Sequence, residues 1–352
     1  MSHPSWIEFL TQQGLPQDPA SDSATATEPG NEAPLLIALT QQSLISLEGP
    51  DAEKFLQGQL TCDLGQLSPE RSLLGANCTP KGMVISVARL FKRAPGSLLM
   101  RLPLAVAEPA LANLKKFAVF SKVEINPVNE TWIGLGLTGE TAPEHLSRIG
   151  ITPPTSTDQQ TQVGDLIVVR VAGTQPRFEL WCPLAQAQSL WQQLAAQAQL
   201  GNNQAWLAAD IEAGLVQLDP ASLDSYIPQM LNLQAVNGIA FSKGCYTGQE
   251  VVARLQFRGK LKKLMYAATV NIDSLAGQAV CSGALLFTGT GRSVGKVLNC
   301  VQQGEQLLLQ AIIGKAAADA NDLHLLSAEG AAISVQPLPY SIDPELFERP
   351  ER

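Results

Sequence analysis

Histidine is scarce in this chain: only His3, His145 and His324 occur in 352 residues, and none of the six cysteines forms a CxxC pair or falls at close metal-ligand spacing. That pattern excludes a pre-formed zinc site and fits free thiols in a reducing cytoplasm. No run of about 18 uninterrupted apolar residues exists, which excludes an ordinary membrane-spanning helix. The N-terminus MSHPSWIEFLTQQ lacks the cationic start and apolar run of a secretory signal. Neither a GxGxxG fingerprint nor a P-loop occurs, and GTGRSVG (289–295) is followed by no helix, so it reads as a hairpin turn. Basic charge in excess is also missing: the formal charge is −8, which argues against a surface that coats nucleic acid. What the chain does have is 45% hydrophobic residues, enough for large cores, and a length that implies two or three domains.

Taken in order, residues 1–33 open with an apolar patch (Trp6, Ile7, Phe9, Leu10) and pass into a polar Pro-, Ala-, Ser- and Thr-rich stretch, read as a flexible leader. From Leu35 to about residue 213, short strand pairs alternate with capped helices. Strands are expected at 35–47 around a turn at 40–42, at 75–91 around Pro80–Gly82, and at 98–104. Others are expected at 119–125, 131–139, 166–172 and 177–182. Helices are expected near 51–60, 106–117, 183–198 and 205–213. This alternation signals an α+β fold, not a doubly wound nucleotide fold. Beyond Leu264 helical periodicity disappears, and short apolar runs recur at roughly ten-residue spacing, which reads as a small β-barrel or sandwich over 261–345.

Chemistry concentrates in FSKGCYTGQEVVARLQFRG (241–259). Gly238, Gly244 and Gly248 allow tight turns on both sides of Cys245. Thr247 and Glu250 have the spacing of a capping box, with Tyr246 and Val251 as its hydrophobic staple, and a helix from Gly248 to Arg258 ends at Gly259. Cys245 then stands two residues before the helix start and two from Lys243, and both neighbours favour the thiolate. An isolated cysteine is more often an inert buried thiol, the expectation for Cys62, Cys78, Cys182, Cys281 and Cys300. Lys243 reads as a cation tuning Cys245 together with Arg254, as a Schiff-base amine, or as a solvated charge. Arg254, Arg258, Lys260, Lys262 and Lys263 form a run without an acid, either a solvated helix end or an anion contact.

KGCYTGQE (243–250) resembles the signature of the bacterial YgfZ family of folate-binding proteins, whose fold relatives are the glycine-cleavage T-protein and the mitochondrial iron–sulfur assembly factors. DAEKFLQGQLTCD (51–63), LKKFAVFSKV (114–123), WLAADIEAG (206–214), IPQMLNLQAVNG (227–238) and the C-terminal PLPYS resemble further blocks in the family's order, spreading the likeness over about residues 35–345. The resemblance implies two α+β subdomains over 34–260, interleaved in sequence with splits near 126 and 203, and a C-terminal β-barrel over 261–345, set as a ring around a central channel for tetrahydrofolate or a one-carbon derivative. It implies that Trp206 stacks on the pterin, that Glu212 grips the pterin edge, and that Asn232 and Gln234 offer amides, with Tyr246 and Gln249 at the entrance. It implies an accessory role in assembly or repair of iron–sulfur proteins, such as tRNA methylthiotransferases, and through them in tRNA modification, with Cys245 and Lys243 as the reactive pair. Direct tRNA contact by the basic run is a competing reading, as is folate-dependent aminomethyl-type transfer. Two departures bear on these readings. Gln42 stands where the YgfZ pattern has a second tryptophan. Ser86 and Val87 stand where the T-protein has its acidic pair, and neither can do acid/base work at neutral pH.

Overall fold

A computed structural model describes residues 2–15, 25–28, 30 and 33–347. The elements run α1 (Pro4–Gln12), β1 (Leu35–Ala38), β2 (Gln42–Glu48), α2 (Ala52–Gln57), β3 (Leu73–Cys78), β4 (Val84–Ala94), β5 (Ser97–Pro103), α3 (Ala107–Phe117), β6 (Glu124–Pro127) and β7 (Trp132–Thr138). They continue with α4 (Ala142–Arg148), β8 (Gln160–Val163), β9 (Leu166–Val171), β10 (Arg177–Pro183), α5 (Leu184–Ala195), β11 (Gln199–Gly201), α6 (Asn203–Glu212) and α7 (Gln249–Arg258). The last are β12 (Lys263–Asn271), β13 (Leu285–Phe287), β14 (Ser293–Gln303), β15 (Gln306–Gly314), α8 (Lys315–Ala320), β16 (His324–Leu325) and β17 (Ser334–Gln336). Among the described residues no helix is long and apolar enough to cross a membrane. Residues 1–56, 64–73 and 88–209 form one compact unit, and residues 57–63, 74–87 and 210–352 form a second, so the chain passes between them at 56/57, 63/64, 73/74, 87/88 (within β4) and 209/210 (within α6).

The first unit holds a six-stranded sheet in the order β11-β1-β7-β10-β9-β8. Its inward faces (Leu36, Leu135, Leu137, Val168, Phe178, Leu180) pack against Leu190, Trp191 and Leu194 of α5. The leader expectation is corrected here. Trp6, Phe9 and Leu10 of α1 join that core, with Trp6 edge-on to Trp191 at 5.9 Å between centroids. Burying three such side chains is worth roughly 1.5–3 kcal/mol each, ample to dock one short helix. Thr27 and Gly30 donate their amides to Asn202 and Gln199, while residues 16–24, 29 and 31–32 of the expected leader lie outside the described residues.

The same unit contains β5, β2 and β6, with the second half of β4 against β5. The strand expected from Val119 begins only at Glu124, because Lys122 exchanges two hydrogen bonds with Asp51: its amide donates to Oδ2 at 2.8 Å, and its carbonyl accepts from the Asp51 amide at 3.3 Å. The preceding turn, closed by Ser121 N–H to Ala118 C=O, leaves Phe120 99% exposed.

The second unit carries an antiparallel sheet in the order β16-β13-β14-β15-β12-β17, curled into a half-barrel. Its core includes Ala268, Val270, Val297, Leu309, Ala311 and Ile313. The end strands β16 and β17 are only two and three residues long, short edges that offer little backbone for pairing with another chain. The coil after α6 is tied to this sheet by side-chain amides: Asn299 donates to Gln217 C=O at 2.7 Å and Gln310 to Leu215 C=O at 3.1 Å. β3 and the first half of β4 belong here too, joined by a turn whose Gly82 has φ +74°.

Candidate functional site: the Cys245 turn

Residues 241–248 form an irregular turn before α7, and Cys245 sits on it exposed. Its neighbour Lys243 spends its ammonium on backbone carbonyls. The Lys243 ammonium donates to the carbonyls of Gln57 at 2.6 Å, Leu60 at 2.8 Å and Cys62 at 2.7 Å. Three N–H donors meet three acceptors, so the ammonium is a strut fastening the turn to the 57–63 loop. Burial brings Lys243 down to about 8, opposed by the nearby charges of Cys62 and Asp63. Of the readings open for Lys243, the geometry favours none that leaves its donors free, and Arg254 pairs with Glu250 one turn away.

The capping box is also corrected. The N-cap of α7 is Gly248 at φ +86°, ψ 0°, with no side-chain cap. The Thr247 amide donates to Gly58 C=O at 3.1 Å and its hydroxyl to Gln59 Oε1 at 3.5 Å, so tertiary partners take the groups that local capping would use. A Cβ on Gly248 would lie 2.6 Å from the Thr79 carbonyl oxygen and 3.0 Å from Gly82 Cα. Only glycine fits that approach, and it pins the helix start to the β3–β4 turn. With Gly248 as cap, Cys245 stands three residues before it, one farther than the sequence implied, and Tyr246 is displaced from the staple position. Tyr246 is instead buried below the Lys243 ammonium, 5.1 Å from its ring centroid, and burial followed by the neighbouring Cys78 pushes its hydroxyl pKa up. Gln249 opens α7 and reaches back to the Lys243 carbonyl at 3.5 Å.

A second cluster in the same unit comes from 228–234. Asn232 ends a helical turn in the left-handed region (φ +57°) and is fully buried. Its Nδ2 donates to Met265 C=O at 2.8 Å and to the Tyr340 hydroxyl at 3.2 Å, while its Oδ1 has no partner among the described residues. Gln234 has neither amide atom partnered, although both are buried, and Gln229 Oε1 and Ser86 Oγ share that condition. A buried polar atom without a partner costs about 1–3 kcal/mol, so a group of them marks either strain or a place for a ligand. Glu212 is the last residue of α6 and half-buried.

Trp206 belongs to the other unit and is 3% exposed. The Arg177 guanidinium carbon lies 4.2 Å from its ring centroid, and a Cβ on Gly136 would come within 2.7 Å of the ring. One face of the ring expected to stack on a pterin is thus covered by a cation. Gln42 accepts from Arg101 Nη1 at 3.4 Å, and Val87 is buried.

Cys62, Cys78 and Cys182 are buried as expected, and burial pushes each thiol up to about 12. Cys281 is exposed and Cys300 only partly buried, against expectation; the Cys300 thiol donates to the Val280 carbonyl at 3.3 Å. The run Arg254–Lys263 is solvent-facing at its cations. Among the described residues no group of three or more His, Cys, Asp or Glu could hold a metal ion. Sequence reading missed the 57–63 loop as part of the site. It contributes backbone carbonyls, which leave no side-chain signature.

No protein-family model matches the chain. Two relatives, each the tRNA-modifying protein YgfZ, from Yersinia pestis (strain Pestoides F) and Yersinia pseudotuberculosis serotype O:3 (strain YPIII), are 37% identical over 311 residues, covering 87% of this chain and 92% of theirs. Among solved structures, the glycine cleavage system aminomethyltransferase T from Bartonella henselae aligns with a TM-score of 0.70 at 19% identity, covering 88% of this chain and 86% of that one. The α+β fold with its C-terminal half-barrel is therefore the T-protein fold. With that identity extending along nearly its whole length, the chain belongs to the family of the tRNA-modifying protein YgfZ.

Proposed function

We propose that this chain is a folate-binding accessory factor of the cytoplasm that supports assembly or repair of iron–sulfur proteins and, through them, tRNA modification. Cys245 is its working thiol. The observation that carries this reading is the contrast around Lys243: one cysteine, Cys62, is sealed behind the strut, and the other, Cys245, is held out in solvent on a turn that Lys243 and Gly248 fasten. An exposed thiol on a fixed turn is suited to transient ligation or redox exchange with a client protein. Lys243 is a positioning residue in this account. The clients are iron–sulfur enzymes such as tRNA methylthiotransferases, and direct tRNA contact is not required.

The residues fit a reduced folate. The unpartnered Gln234 amide and Asn232 Oδ1 offer the mix of donor and acceptor that a pterin edge requires. Glu212, Tyr246 and Gln249 are further candidates from the same unit. A bound tetrahydrofolate would supply a carrier for a one-carbon unit. Aminomethyl-type transfer is disfavoured, since Ser86 and Val87 are both buried and neither supplies a carboxylate.

The test is a fluorescence titration of tetrahydrofolate into the wild-type protein and Gln234→Leu. Saturable binding that weakens roughly tenfold or more in the variant, the worth of one or two buried hydrogen bonds, is expected. Absence of wild-type binding, or unchanged affinity in Gln234→Leu, would remove folate from this cluster.

A further inference from the structure

The second unit contains a cavity of about 440 Å³ that the Cys245 turn does not line, within the range of about 300–1,000 Å³ typical of small-molecule sites. One wall is the sheet face that carries Lys263, Lys296 and Ile312, and the other is the coil at 221–230. Strand register explains why cations collect there. Leu285 pairs with Lys296 and Lys296 with Ile312, so these three point to one face. Lys263, opposite Gly314, lies two residues along from the same row and shares that face. Two strand spacings and a two-residue offset put the Lys263 and Lys296 Cα atoms about 12 Å apart, a span that two lysine side chains can close around one anion.

Neither lysine has an ion-pair partner among the described residues, and no Asp or Glu lines the cavity. Of the acids beside this coil, Asp219 accepts from the Ser222 amide at 3.0 Å and from its hydroxyl at 2.7 Å, and Asp224 accepts from the Thr79 hydroxyl at 3.4 Å, so both have partners of their own. Ser225, Ser282 and Ser293 add hydroxyls, while Tyr226 and Leu285 supply a flat apolar surface. Two like charges facing one cavity without a counter-charge repel each other unless an anion joins them. Lysine and hydroxyl donors match phosphate oxygens, and an aromatic wall matches a ring.

We propose that this cavity binds a phosphate-bearing small molecule of about nucleotide size, with its phosphate between Lys263 and Lys296 and its ring against Tyr226. The inference does not rest on the folate or thiol reading.

Isothermal titration with 5′-AMP, adenosine and inorganic phosphate tests it, on the wild-type protein and on the double variant Lys263→Ala/Lys296→Ala. Both lysines are exposed, so the variant keeps the fold. The expected result is saturable AMP binding, at least about tenfold tighter than either fragment and weakened at least about tenfold in the variant. Three results would overturn the proposal: no saturable AMP binding, AMP binding unchanged in the double variant, or phosphate binding as tightly as AMP, which would mean a bare anion site.

Discussion

Two places carry the strongest functional signals in the sequence, the tryptophan of WLAADIEAG and the cysteine of KGCYTGQE, and the fold treats them in opposite ways. Trp206 is sealed in the first unit, one face under Arg177 and an edge against Gly136. Cys245 is solvent-exposed in the second unit, yet Lys243 and Gly248 on either side of it are fastened. Within that second region the same division recurs between two thiols: Cys62 is 2% exposed with its pKa at about 12, and Cys245 is open. A side chain rich in binding surface can be used wholly for packing, whereas a small reactive group becomes available when its neighbours hold the backbone and leave the atom free.

The largest expected effect follows from the sealed tryptophan. Trp206→Ala should destabilise the protein by about 3–5 kcal/mol, the usual loss for a buried indole, and it also strips the Arg177 guanidinium of its aromatic partner. Urea unfolding measures it. A loss below about 1 kcal/mol would mean that the ring is not part of the core, and would reopen its use as a stacking face. Gly248→Ala comes next, at about 2–4 kcal/mol, from left-handed strain and a backbone clash together. Thermal unfolding at wild-type level would show that the α7 start is not pinned to Gly82.

Lys243→Met should cost about 2 kcal/mol near neutral pH, since three carbonyls lose a charged donor. Its pH dependence sharpens the comparison. Burial holds Lys243 at about 8, below its ordinary 10.5, so in that window the unfolded chain binds more protons than the folded one. This group therefore adds stability as pH rises from about 8 toward 10.5, and the increment should vanish in Lys243→Met. Equal slopes for the two proteins would contradict burial of the ammonium.

Much of the fold was legible. The strand pairs at 35–48, 73–94 and 166–183 follow from alternation and turn residues, and Gly259 ends α7 as a helix terminator should. What misled was local chemistry overruled by distant partners. Thr247 and Glu250 have the spacing of a capping box, but Gly58 and Gln59 claim Thr247 and Arg254 claims Glu250. Docking of α1 depends on Trp191, far along the chain, so the apolar patch alone could not decide it. The thiol stands out in the sequence because glycines and a lysine surround it. Its true support, carbonyls of the 57–63 loop, is backbone and therefore silent in side-chain patterns.

The central claim is that Cys245, and not the nearby sealed Cys62, is the working thiol. The most direct measurement is mass-spectrometric quantification of thiolated tRNA nucleosides in a strain lacking this protein, complemented with wild type, Cys245→Ala or Cys62→Ala at matched protein levels. The account predicts that Cys62→Ala restores those nucleosides and Cys245→Ala does not. Full restoration by Cys245→Ala would contradict it.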